Sequence, residues 1–165
     1  MAFTNTPCDR GAILDPSGTY RYRLWRSWDP TLPRVTFVLL NPSTADATRD
    51  DATLRRCWSF ARSWGAGGCE IVNLFALRTP DPLHLRNHPH PIGPDNDRHL
   101  AQAIGTAQIL VAGWGNGGAL GARDRTVLSF FVRRAYCLGM TGRGQPRHPL
   151  YVPGCTPLVP LISGG

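Results

Sequence analysis

Three continuous apolar runs, separated by segments of helical periodicity, constrain this chain more than any other feature of its sequence. Residues 35–40 (VTFVLL), 69–77 (CEIVNLFAL) and 107–115 (AQILVAGWG) lack the polar alternation of a strand with one wet face. Strands of this kind need cover on both sides. Between the first two lies DDATLRRCWSFARSWGAGG (50–68), with aspartates at its head, Leu54, Cys57, Trp58, Ala61 and Trp64 at helical spacing, and a glycine stop. After a proline-rich loop over 79–94, a second helix is expected over 95–106, a third over 119–134, and a fourth strand over 135–139 (AYCLG). Strand and helix in alternation give an α/β fold with a parallel sheet. The expectation is one domain over residues 1–165, its core spanning about 18–153, with a central, mostly parallel four-stranded sheet flanked by helices.

An N-terminal β-hairpin precedes this core. GTYRYRLWRSW (18–28) alternates, with Tyr20, Tyr22 and Leu24 expected on one face and Arg21, Arg23 and Trp25 on the other, and it pairs with GAIL across the DPSG turn. The tail, VPGCTPLVPLISGG (152–165), is too rich in Pro and Gly for a further regular element.

Composition bounds the function classes. No apolar run approaches the roughly 20 residues that span a bilayer, and MAFTNTPCDRGAIL lacks the charged-then-apolar order of a signal peptide, so a cytoplasmic protein without membrane partners is expected. The five cysteines are scattered without C-x-x-C or zinc spacing, which favours buried free thiols over disulfides or a metal site. His88 and His90, in a proline-rich loop, lack a third ligand, and neither metal nor cofactor is expected. All 18 basic side chains are arginine, and the net charge is +7. From residue 98 onward seven arginines accompany a single acid, Asp124. Either a basic face for a phosphate backbone or a merely soluble basic surface accounts for this.

In an open parallel sheet, ligands bind where strands end, because there the loops diverge. The first apolar run exits into Asn41-Pro42-Ser43, the second carries Asn73, the third exits into Trp114-Gly115-Asn116, and the fourth strand runs into MTGRGQPRHPLYVP. Each has a bland alternative. Asn41 before a proline serves equally as a turn former, Asn73 as a buried structural amide, Asn116 as part of a glycine-rich turn, and His148 as a surface histidine between two prolines. No P-loop, G-x-G-x-x-G or G-x-S-x-G stands in the chain, and nothing places Ser43, His148 and Asp46 on a strained nucleophile elbow.

The segments LLNPSTADATRDDATLRRC, IVNLFALRTPDP, NDRHL and GRGQPRHPLYVP closely resemble a bacterial and phage family of unknown function, over about residues 20–153. More distantly, LNPS, VNLF and RHPL are similar, in the same order, to three motifs of the uracil-DNA glycosylase superfamily. That resemblance implies a uracil-DNA-glycosylase-like fold, with Asn41 positioning water, Asn73 reading a base edge and His148 in the His-Pro motif. Here the first motif lacks the Asp of the most active uracil enzymes, Leu150 replaces the usual Ser, and the cysteines do not reproduce the iron-sulfur spacing.

The chemistry so implied is hydrolysis of an N-glycosidic bond, which develops positive charge on the sugar and negative charge on the departing base. An Asn cannot take a proton, so Asp46, Asp50 or Asp51 would have to supply a carboxylate, with Asp51 equally able to cap the following helix. Pro42, Ser43 and Phe75 complete the expected base pocket, with Trp114 as a second stacking candidate. Arg143, Gln145 and Arg147 are the expected contacts to single- or double-stranded DNA carrying a flipped base. A non-catalytic nucleic-acid or modified-base binding module, or a hydrolase or transferase of free nucleosides or nucleotides, are the alternatives.

Overall fold

The structure, a computed structural model, describes residues 8–161. Seven strands form one mixed sheet in the order β1-β2-β4-β3-β5-β6-β7. These are β1 (Asp9–Leu14), β2 (Arg21–Ser27), β3 (Arg34–Leu39), β4 (Gly68–Asn73), β5 (Ile109–Ala112), β6 (Tyr136–Cys137) and β7 (Val159–Pro160). The class is α/β, but the sheet is larger than the four strands the sequence suggests. The hairpin is not an appendage: β2 pairs antiparallel with β4, so β1 and β2 extend the sheet, and β7, from the tail read as irregular, pairs antiparallel with β6. Strands β4, β3, β5 and β6 run parallel to one another.

The apolar strand β3 lies in the middle, with Val35, Phe37 and Leu39 facing one side and Thr36 and Val38 the other, all buried. Helix α1 (Ala52–Ser63) covers the first face, packing Leu54, Cys57, Phe60 and Ala61 against Phe37, Leu39 and Ile71. Helix α3 (Asn96–Thr106) covers the second, with Leu100, Ala103 and Ile104 against Val38, Val72 and Leu110. The Pro-rich loop contains a short helix, α2 (Pro82–Asn87), started by Asp81, whose side chain accepts from Leu83 N. The third helix is much shorter than the spacing predicts: a 3-10 segment over Asn116–Ala122 precedes α4 (Arg123–Leu128), because Gly121 at φ 60° and Ala122 at φ 54° break the turn.

Strand β2 does not alternate as its sequence suggests. Ile13 faces Arg23 while Leu14 faces Arg21, so Tyr22 is an extra residue, a β-bulge. The bulge turns Arg21 to the α1 side with Leu24 and Arg26, and leaves Tyr22 stacked on His99 of α3 at 5.0 Å. Arg21 and Arg26 are 3 % and 0 % exposed, which no amphipathic reading of the strand anticipates. Among the cysteines, Cys57, Cys69 and Cys137 are buried, whereas Cys8 and Cys155 are exposed, and all five are free thiols. None of the helices among the described residues is long and apolar enough to cross a membrane.

Phe37, fully buried and packed near Trp64 at the centre of the sheet, sets the first prediction. Phe37→Ala should lower the unfolding free energy by about 3–5 kcal/mol, measured by urea denaturation; a loss below about 1 kcal/mol would place the main core elsewhere.

Candidate functional site

From β3 the chain crosses through α1 to β4 on one side, while from neighbouring β5 it continues through α4 to β6 on the other. Loops that leave adjacent parallel strands in opposite directions open a crevice at their carboxyl ends. A cleft of about 680 Å³ lies there, lined by the β3 exit (Leu40, Asn41, Ser43, Thr44), the start of α1 (Asp51, Ala52, Thr53), Thr79, Pro80 and Pro82, Trp114 to Gly117, Thr141, and Arg147, His148, Leu150 and Tyr151. Its size suits a small organic ligand.

The loop from Asn41 to Asp51 forms one wall, and its conformation is held from beneath. Arg26 donates to Asp46 O at 2.6 Å and to the Asp50 carboxylate at 2.9 Å, and Arg21 donates to Ala45 O at 3.0 Å. Asn41 uses its side-chain NH2 on three backbone carbonyls, of Pro42, Leu77 and Thr79, which ties the β3 exit to the β4 exit. Its Oδ1 accepts no hydrogen bond from the described residues, so the group Asn41 offers the cleft is an acceptor. Pro42 is buried and Ser43 half-buried beside it.

The carboxylates separate into different roles. Asp46 folds its own turn, accepting from Thr48 N and Arg49 N at 2.9 and 2.8 Å, and does not line the cleft. Asp50 is bound to Arg10 and Arg26. Asp51 is the carboxylate in the cleft, and it also caps α1: Oδ1 accepts from Leu54 N at 2.9 Å and Oδ2 from Ala45 N at 3.3 Å. Asp51 therefore caps the helix and lines the cleft with one carboxylate.

His148 stands on the opposite wall, where Pro149 starts a short 3-10 turn over Pro149–Tyr151. Its Nδ1 accepts from Leu150 N at 3.1 Å, so the proton of the neutral ring resides on Nε2. Burial drives its pKa down to about 4, against a smaller opposing pull from Asp51. Throughout the neutral range this side chain is an uncharged N–H donor. Tyr151, 81 % exposed, tilts its ring at 5.5 Å from the imidazole at the cleft mouth.

The remaining expected residues divide. Arg147 lines the cleft, while Arg143 is exposed at a turn outside it. Gln145 is a brace: Oε1 accepts from Trp114 Nε1 at 2.8 Å and Nε2 donates to Asp124 at 3.0 Å. Trp114 is 2 % exposed and forms part of the cleft floor, while Phe75 is a core residue on the far face of the sheet. The C-terminal arginines are not one binding face, since Arg123 is buried against Asp97 and Leu74 O, and Arg133 ties to the end of α3 through Gly105 O and Ala107 O.

Asn73 is 2 % exposed and faces an inner chamber of about 30 Å³ beneath the cleft, shared with Arg21, Asn41, Ser43, Asp51 and Thr53. That volume holds about one water or one oxygen of a larger ligand. Arg21 donates to Asn73 Oδ1 at 3.3 Å, and Asn96 donates to the Asn73 carbonyl at 2.9 Å. Sequence reasoning missed Arg21, Thr53, Thr79 and Tyr151; no local pattern marks them, since the sheet and loops alone gather them. Among the described residues no group of three or more His, Cys, Asp or Glu side chains is placed to hold a metal.

The chain belongs to the family described as "Protein of unknown function (DUF1643)", matched over residues 21–150, a span that begins at Arg21 and ends just past His148. No curated protein and no solved structure matches it.

The folded-state pKa of His148 lies below its unfolded value, so between about 6.5 and about 4 the unfolded chain binds more protons and stability falls as pH drops through that window. An NMR titration should find the His148 ring neutral from about pH 8 to about pH 5; an imidazolium at pH 6 would contradict the assigned environment. Asp51→Ala should cost about 1 kcal/mol through its lost helix cap, read by thermal denaturation.

Proposed function

We propose that this protein is DNA N-glycosylase-like and hydrolyses the N-glycosidic bond of a flipped uracil-like, damaged or modified base. The observation that carries this reading is His148, locked as a neutral Nε2–H donor on one wall of a nucleoside-sized cleft, with the Asn41 oxygen and Asp51 on the other. As the bond breaks, negative charge grows on the base. A preorganised donor in a site of reduced dielectric stabilises that charge, and a neutral imidazole does so without holding its own proton too weakly to keep.

The sugar becomes cationic, and Asp51 is the carboxylate positioned to offset it. Asn41 offers an acceptor oxygen that orients a water without deprotonating it, so departure of the base as an anion precedes capture of the sugar by that water, and the proton the water loses on bonding to the sugar neutralises the departed base. Exposed Tyr151 at the mouth supplies a ring on which a base stacks, and Arg147 supplies a cation for a flanking phosphate. In this reading the sheet is uracil-DNA-glycosylase-like, its parallel strands β4, β3, β5 and β6 forming the part common to that superfamily.

A second reading has its own observation. Both Asp51 oxygens already accept from backbone N–H groups, which leaves less of the carboxylate free to engage a water or a sugar and suits a binding module for a modified base.

Abasic-site cleavage assays on single- and double-stranded oligonucleotides carrying uracil, hypoxanthine, 5-hydroxymethyluracil or mismatched thymine separate the two. His148→Ala should reduce excision by about 100-fold or more, and Asn41→Ala should reduce it as well. DNA binding that weakens steeply with salt, without abasic product, favours the binding module; neither product nor binding removes DNA as the partner.

A further inference from the structure

Arg21 is an unusual occupant of a sheet interior. It is 3 % exposed, its pKa is depressed to about 10 by burial, and the Asp51 carboxylate opposes that depression. One nitrogen donates to Ala45 O and another to Asn73 Oδ1, while Nε–H has no partner among the described residues. A buried, charged donor left unsatisfied carries a penalty that a structural residue would be expected to avoid. The bulge at Tyr22 is what brings it here, since strict alternation would put Arg21 on the other face with Arg23.

The consequence falls on Asn73. Either end of a side-chain amide can face a pocket, and the choice is fixed by the partner of the other end. Arg21 can only donate, so it holds Oδ1, and the NH2 of Asn73 is the end left over; no hydrogen bond from it to a described residue competes. Arg21 and Asn73 both line the 30 Å³ chamber. The chamber's inner end therefore presents the Asn73 NH2 as an unpaired donor and calls for an acceptor oxygen, in a volume that fits one.

We propose that Arg21 is a specificity-determining positioning residue: by fixing the Asn73 amide it makes the inner chamber a seat for a carbonyl oxygen and rejects an amino group in the same place. The inference rests on the reading of the cleft as a nucleobase site, and concerns a residue that acts through Asn73 rather than on the scissile bond.

NMR titration of the whole protein with 2′-deoxyuridine and 2′-deoxycytidine tests it, because these probes exchange a carbonyl for an amino group on otherwise matched rings. The wild type should bind deoxyuridine about tenfold or more tightly than deoxycytidine, the scale of one unsatisfied buried hydrogen bond. Arg21→Met should bring the two within about twofold, whereas Asn73→Asp, which keeps an acceptor for Arg21 but turns an oxygen into the chamber, should reverse the preference. If Arg21→Met does not fold, Asn73→Asp decides alone: reversal supports the proposal and an unchanged preference overturns it. Equal binding of both probes by the wild type overturns the proposal while leaving the nucleobase reading in place, and binding of neither overturns both.

Discussion

Two buried guanidinium groups on β2 hold the loop on which the candidate site is built. Arg26 and Arg21 reach across the α1 face of the sheet and donate to Asp46 O, Ala45 O and the Asp50 side chain. A loop of small polar residues cannot order itself through apolar burial, and its carbonyls need donors that water would otherwise supply. Arginine meets that need with several donors from one side chain, at the cost of burying a charge. Asp50 answers Arg26, and Asp51 lies in the field of Arg21. The wall of the cleft thus depends on the edge hairpin as much as on the central strands.

The same economy of groups runs through the site. Asn41 ties two strand exits together with its nitrogen and keeps its oxygen for the cleft. Asp51 caps α1 and lines the cleft with the same carboxylate. His148 starts a 3-10 turn with Nδ1, and that bond fixes the proton on Nε2. For Asn41 and His148 a backbone contact determines which polar end of the side chain is left for the cleft. Rigid presentation of this kind is what a site needs to act without reorganising.

Beyond the cleft, the carbonyls at the end of β4 are held from the opposite face. Asn96 donates to Asn73 O and Leu74 O, and Arg123 donates to Leu74 O while pairing with Asp97. The NDRHL segment is thereby explained as an anchor for the strand that carries Asn73, and one arginine of the basic C-terminal part is accounted for by the fold.

The sequence by itself determined the α/β class, the helix begun by Asp51 and the strand exits at Asn41 and Trp114, because apolar periodicity, caps and glycine stops are local signals. His148 was legible for a similar reason: two prolines restrict its backbone direction. The tertiary structure decided the rest. A strand can join a sheet edge without any mark in its own residues, so the seven-strand extent and the tail strand β7 were invisible. A single bulged residue reverses the facing of a strand, so Arg21, which alternation puts on the face of Arg23 and Trp25, lies buried beside the cleft on the face of Leu24. Phe75, Gln145 and Asp46 were near the right loops in sequence but have their polar or apolar needs met elsewhere, in the core, against Trp114 and within a turn. Which groups remain free for a ligand is settled only after every backbone donor and acceptor has found its partner, and that is a property of the assembled chain.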